Sequence, residues 1–233
     1  MRSIKELDEF VVQDIETKVI RNTRKLNEFL YQEVKIKKRK ILTVDIDKQD
    51  CVAVGLDEKV WITFNHDAGD LFGALNNGAS LVLNGNAGRF AGDVMRSGKI
   101  TIKGNCDEGA GMYMYGGQVI VNGSAGDNIG QISKGGTILI KGDAGNFVGL
   151  YLTGGNIIVL NDIGEKTGDW MIKGRIFVGG YITGLGNNAI IQEMKDNDRE
   201  FLDALFTENK IQFPLDNIRK IVPKELRPFY KKR

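Results

Sequence analysis

Stepping through the chain by 19 residues from Gly85 lands on Gly104, Gly123, Gly142, Asn161 and Gly180, and one step back lands on His66. Six consecutive units follow with no insertion or deletion. Within them one glycine never changes: Gly73, Gly92, Gly111, Gly130, Gly149 and Gly168. A second position reads Ala79, Gly98, Gly117, Gly136, Gly155 and Gly174, and a third reads Gly69, Gly88, Asp107, Gly126, Gly145 and Gly164. Units of one fixed length stack on each other, because a short unit cannot bury its apolar face alone. Fixing its backbone costs more conformational entropy than its few buried side chains return.

Each unit ends in a short apolar triplet: LVL (81–83), ITI (100–102), VIV (119–121), ILI (138–140), IIV (157–159) and IFV (176–178). β-Branched runs of this length are strands. A polar residue precedes each one, so the first and third residues of the triplet face one side. The period therefore predicts a mainly β fold. It is a single-stranded, right-handed parallel β-helix of about six to seven 19-residue coils, with short helical caps at both ends. Right-handedness follows from the general rule for parallel crossovers. The left-handed hexapeptide helix has a period of about 6, of which 19 is not a multiple. At about 4.8 Å per coil the column is roughly 30 Å long. The glycines serve turns that need positive φ or close backbone approach.

The middle residue of the triplet should face outward, yet it reads Val82, Thr101, Ile120, Leu139, Ile158 and Phe177. A solvent-facing sheet alternates polar with apolar, and an exposed ridge of this kind is a contact patch. Something must cover it: either the terminal segments or another protein. Val82, Ile120, Leu139, Ile158 and Phe177 are thus the candidate partner ridge.

The ends differ in composition. Of 30 glycines, 27 lie between Gly69 and Gly180, and the three prolines fall in the last 20 residues. This divides the chain into an N-terminal helical and strand cap (1–60), the β-helix (61–190) and a C-terminal helical tail (191–233). Ser3-x-x-Glu6 is a capping box before Ile4, Leu7 and Val11, and Thr23 is placed to cap a second helix with Leu26, Phe29 and Leu30 on one face. ILTVDI (41–46) alternates as a strand, and the basic run KIKKRK (35–40) reads as a solvated edge. Residues 197–208 read as a helix with Phe201, Leu202 and Leu205 on one side. Both ends are expected to cap open strand edges, with partner docking at one of them the sharper alternative.

Charge and cysteine count exclude several classes. The 32 basic and 30 acidic residues leave +2, which gives no footprint for nucleic acid. Cys51 and Cys106 make no disulfide framework and fit a reduced compartment. The charged start MRSIKELDEF is no secretory signal, and no run of apolar residues is long enough to span a membrane, so the expected setting is the cytoplasm.

No constellation carries chemistry. His66 is the only histidine and cannot build a zinc site with two distant cysteines. Cys106 stands where neighbouring units have alanine and reads as a small buried side chain. Gly184-Leu-Gly186-Asn-Asn-Ala189 matches the dinucleotide fingerprint, but its upstream context is a coil repeat rather than a strand–helix–strand unit. Asp70 and Asp127 are equivalent, but Arg89 and Asn146 interrupt any calcium ladder. The residues therefore predict no catalytic, cofactor-binding or metal-binding site.

The units GNAGRFAGDVMRSGKITIKG (85–104) and GDAGNFVGLYLTGGNIIVLN (142–161) resemble the C-terminal β-helical domain of the glutamate synthase large subunit, the GXGXG family. One structural chain of formylmethanofuran dehydrogenase belongs to the same family. The tail IRKIVPKELRPF (218–229) is similar to the close of the glutamate synthase version. The resemblance implies a structural role, holding together an amidotransferase domain and a flavin-containing synthase domain. Neither catalytic domain fits here: Met1 is followed by Arg2 where the amidotransferase has a cysteine, and two cysteines are too few for the synthase iron–sulfur cluster. What it implies is a stand-alone scaffold subunit of a glutamate-synthase-like complex in glutamate biosynthesis. FMN and the iron–sulfur cluster would lie on partner synthase and amidotransferase chains, and self-association stays open. The alternatives are a structural subunit of a formylmethanofuran-dehydrogenase-type complex and a stand-alone nucleotide or flavin binder using Gly184–Ala189.

Overall fold

The computed structural model describes residues 20–226 and Pro228. The capping box at Ser3 lies outside these residues. The chain forms one ten-stranded sheet wound as a solenoid of about seven turns. Eight strands stack in chain order, all parallel: β1 (Ile41–Asp45), β2 (Trp61–Asn65), β3 (Asn77–Asn84), β4 (Ser97–Ile102), β5 (Gln118–Val121), β6 (Thr137–Ile140), β7 (Asn156–Val159) and β8 (Arg175–Val178). The register advances by one repeat at each step from β2 onward, as in Val119↔Ile138 and Ile138↔Ile157. The composition boundary near residue 60 is not where the solenoid begins. β1 is already a rung, pairing Ile41 with Trp61.

The first and third residues of each triplet point inward and are fully enclosed, as at Ile100, Ile102, Ile138 and Ile140. A second inward row turns the corner through Ala87, Cys106, Ala125, Ala144 and Ile163, joined by isolated parallel bridges. Small side chains there let the corner close tightly.

Two devices close the ends. Helix α1 (Thr23–Tyr31) buries Leu26 and Leu30 in the main core, with Phe29 packed partly against it. Asn22, not Thr23, is its cap: the Asn22 side-chain oxygen accepts from Lys25 N at 3.0 Å, while the Thr23 hydroxyl donates to Asp50 O. A residue starting a helix can cap only from the extended conformation, which Asn22 holds at φ −99°. In the basic run that follows, Lys35 pairs with Asp57 and Lys37 with Glu33. At the other end β10 (Arg219–Pro223) adds antiparallel to β8, and β9 (Ala189–Gln192) adds to β10. Between β9 and β10 lies helix α2 (Asp196–Glu208). No helix among the described residues is long and apolar enough to cross a membrane.

Candidate functional site

The outward ridge of the sheet is covered by the chain's own tail. Ile120, Leu139, Ile158 and Phe177 are buried in a second core with Leu202, Leu205 and Phe206 of α2 and with Ile218. The Phe177 and Phe201 rings lie 6.1 Å apart. Charged groups fasten α2 at both ends. Asp198, 2% exposed, accepts from Lys220 Nζ and Arg175 Nη1, each at 2.7 Å, and from the Lys195 backbone N–H. Burial alone would raise the Asp198 pKa, but these donors outweigh it and bring the value down to about 2. Near the other end Lys99 meets Glu208 at 2.8 Å. Of the candidate ridge, only Val82 stays half-exposed, together with Thr101, beyond the reach of α2.

The remaining polar candidates turn out to be masonry. Asp67, Asn86, Asn105, Ser124, Asp143 and Asp162 occupy one repeat position, and each side chain accepts the backbone N–H of the residue 19 further on. Asp70, Asp127 and Asn146 do the same on a second line. The Arg89 guanidinium and N–H together hold the Asp70 carboxyl below its ordinary range. These side chains explain glycines that have no positive φ: a Cβ on Gly123 would sit 2.1 Å from Asn105 Oδ1. In the sequence, Asp70 and Asp127 stand out only as interrupted calcium ligands. The signal that reveals them is Asx and Ser recurring immediately after the Gly85-type glycine for the first line, and Asp or Asn after the Gly69-type glycine for the second.

His66 is exposed at a corner with φ +73°. Cys106 is buried, and burial pushes its thiol up to about 12. Cys51 is half-buried in the first turn of the column. Gly184 and Gly186 flank a bridge from Leu185 to Thr167, so this stretch is another rung, and Ala189 opens strand β9 where a dinucleotide motif would open a helix. Among the described residues no group of three or more His, Cys, Asp or Glu is placed to hold a metal ion.

The feature that calls for a functional explanation is a second outward ladder. At the turn opposite the strands, alternate backbone N–H groups point to opposite neighbours. Phe90 N and Val94 N donate to the next coil (Glu108 O and Met112 O), whereas Gly92 N donates to the previous one (Phe72 O). Phe90, Gly92 and Val94 accordingly share the left-handed conformation, at φ +62°, +70° and +56°. At the central position, occupied by Gly73, Gly92, Gly111, Gly130, Gly149 and Gly168, a side chain would point into the column. A Cβ on Gly111 would lie 2.5 Å from Ile138 Cδ1. Two residues later the side chain points out, and there the chain carries Leu75, Val94, Tyr113, Ile132, Tyr151 and Trp170, all at φ between +53° and +59°.

Left-handed backbone favours Gly and Asn, and for β-branched Val94 and Ile132 it is an outlier costing about 1–3 kcal/mol. An outward position in water also favours polar groups. The chain violates both preferences in six successive coils. Leu75 is 47% exposed, Tyr113 41% and Tyr151 39%. The position four residues earlier, equally left-handed, is mixed: Leu71, Phe90, Gly109, Asn128, Phe147 and Lys166. One rim of the ladder reads Asp70, Arg89, Glu108, Asp127, Asn146 and Glu165, and the other reads Asn77, Arg96, Tyr115, Lys134, Thr153 and Ile172. Lys134 Nζ lies 4.5 Å from the centre of the exposed Tyr115 ring. An apolar stripe kept outside at a conformational cost marks a candidate contact surface. Stepping by 19 from Leu75 gathers these residues in the sequence, but not their left-handed conformation.

The GXGXG motif family model matches residues 9–194, a span that takes in every parallel rung of the column. No curated protein matches the chain.

Proposed function

Because this chain belongs to the GXGXG motif family, the family of the glutamate synthase C-terminal domain, we propose that it is a non-catalytic structural subunit of a glutamate-synthase-like complex. In this reading it holds a glutaminase chain and a flavin- and iron–sulfur-containing synthase chain, and it carries no cofactor itself. The observation that carries the reading is the span of the family match, which runs along the entire parallel column. A solid column suits this role physically. Its interior is filled by side chains, each coil is bonded to the next on several sides, and such a rod keeps attached chains at fixed separation. Trp61, 51% exposed, and Val82 lie on the part of the outer sheet that α2 leaves open, and they offer a docking place for one such chain.

The test is purification of the tagged full chain from its native cell, with identification of what accompanies it. Glutaminase and flavin chains in constant ratio support the reading. A molybdenum- or tungsten-bearing chain instead would transfer it to a formylmethanofuran-dehydrogenase-type assembly. Titration of the purified chain with FMN or NAD tests the cofactor-free part: saturable micromolar binding, weakened by Gly184→Ala, would overturn it. Gly184 suits this purpose because a Cβ there meets nothing closer than 3.9 Å.

A further inference from the structure

We propose that the C-terminal end of the column docks on the same end of a second copy of this chain, with strand β9 pairing antiparallel to its own counterpart about a two-fold axis normal to the sheet. Three observations converge on this occupant. The first is that the core is sealed at one end and open at the other. At the N-terminal end α1 closes the column: Leu26 and Leu30 are buried, and so are Leu42 and Val44, the inward residues of β1. At the C-terminal end inward side chains meet water. Ile191 stands opposite Ile221, which stands opposite Ile176, so all three face the core. Ile176 and Ile221 are fully enclosed, yet Ile191 is 51% exposed. Leu185 pairs with the enclosed Thr167 and is itself 37% exposed. A stack of coils needs a cap with a polar outer face at each end, and this end presents core residues instead.

The second observation is the backbone. Ile163 N donates to Tyr181 O and Thr167 N to Gly184 O, but one coil later Ile182 N and Leu185 N have no backbone acceptor among the described residues. Strand β9 is the last of the sheet. Lys224 N donates to Asn188 O, so by antiparallel alternation Ile190 and Gln192 turn their backbone groups to β10, while Ala189 and Ile191 turn theirs to the open side. Pro223, which has no N–H to give, accordingly faces Ala189. An apolar edge with unpaired N–H and C=O groups is a template for another strand. The third observation selects the occupant. Because α1 seals the N-terminal end, copies cannot add head to tail, and the surface of this chain that matches the open end is the open end itself. With Ile191 opposite Ile191, Ala189 faces Glu193, Asn187 faces Lys195 and Ile190 faces Gln192, so no like charges meet. An axis normal to the sheet keeps the inner face inside, so the two open cores abut. A lone extended peptide would satisfy the strand edge but leave Leu185 in water, whereas an identical end covers both. Self-complementary contact through one patch is the ordinary form of a protein dimer.

The experiment is sedimentation equilibrium of the purified full chain, alone, at tens of micromolar. A dimer is expected, with no larger species. Ile191→Lys puts a charge on the open edge and should weaken the dimer by about tenfold or more, with unchanged circular dichroism. Cross-linking reads the register without disturbing the core. Ile190 and Gln192 of the second copy would form a non-hydrogen-bonded pair, about 4.5 Å between Cα atoms and within disulfide reach. Chains carrying Ile190→Cys and chains carrying Gln192→Cys, mixed and then oxidised, should form a mixed disulfide, and neither should cross-link alone. A wild-type monomer would overturn the proposal and leave the open end to a strand of another protein. A dimer that survives Ile191→Lys, growth into longer assemblies, or a cysteine mixture that yields no mixed disulfide would also overturn it. The measurement uses one purified chain, so its outcome is independent of which other chains accompany the protein in the cell.

Discussion

Two apolar ladders run up this column, and they end in opposite states. The sheet ridge of Ile120, Leu139, Ile158 and Phe177 is sealed beneath α2, while the turn ladder from Leu75 to Trp170 stands half in water. Both arise from one repeat, and both place apolar side chains outward at every rung. The ladders themselves do not decide the difference. It comes from residues 196–208, well outside the repeat, which supply a lid for one face and none for the other. The largest expected effect tests this contrast. Leu139→Asp puts a charge where the side chain is fully enclosed and should cost about 3–5 kcal/mol in urea unfolding. Tyr113→Asp, the same kind of change on the open ladder, should shift stability by less than about 0.5 kcal/mol. Similar losses at both sites would mean that the open ladder is core as well.

The contrast sharpens within a single turn. Gly111 and Tyr113 have nearly the same backbone conformation, φ +65° and +54°, but one Cβ vector points into the column and the other out of it. Gly111→Ala meets Ile138 Cδ1 and Met114 Sδ as well as left-handed strain, and should cost about 2–4 kcal/mol. Tyr113→Ala keeps the left-handed backbone that Tyr113 already has and meets no such clash. A Gly111→Ala variant with wild-type unfolding would show that the turn relaxes, and that the invariant glycine has another cause.

The column was legible in the sequence because its determinant is periodic. A fixed 19-residue phase, β-branched triplets and glycines at constant positions can each be read from the sequence before any contact is known. What covers the sheet ridge was not legible, because the lid is one amphipathic helix whose placement depends on a turn and a pair of buried charges. Nothing in the sequence pairs Asp198 with Arg175 and Lys220. The Asx ladder lay in plain view, but the sequence reading of its glycines names positive φ or close backbone approach, whereas the structure shows a side chain filling the space that a Cβ would take. The strained ladder was missed for a different reason. Apolar residues in a turn look unremarkable until the backbone is known to be left-handed there.

The lid should be the acid-labile part of the molecule. Asp198 titrates near 2 in the folded chain, below the ordinary 3.8, so the unfolded chain takes up its proton first as pH falls. The stabilisation is complete above about pH 4 and drains away as pH falls toward about 2, a loss on the order of 2 kcal/mol. Between pH 4 and 2, Asp198→Asn should flatten the slope of stability against pH by about this amount, even though it lowers stability overall. An unchanged slope would assign the acid sensitivity elsewhere.

The smallest effect separates strain from burial on the open ladder itself. Val94 is β-branched at φ +56°, half-exposed, and bonded through its N–H to Met112 O at 2.9 Å. Replacing it with glycine keeps that bond and removes the conformational penalty, at the loss of a partly buried side chain. Glycine also gains freedom in the unfolded chain, which works against the folded state. Where the side chain packs on little, the relief of strain wins, and Val94→Gly should stabilise the isolated fold by up to about 1 kcal/mol. The equivalent change on the ridge, Ile158→Gly, can only destabilise, because Ile158 lies enclosed in a strand. Chemical denaturation of both variants reads the difference directly. If Val94→Gly also destabilises by more than about 1 kcal/mol, the valine is held for packing within the monomer, and strain at this turn no longer argues for a contact surface.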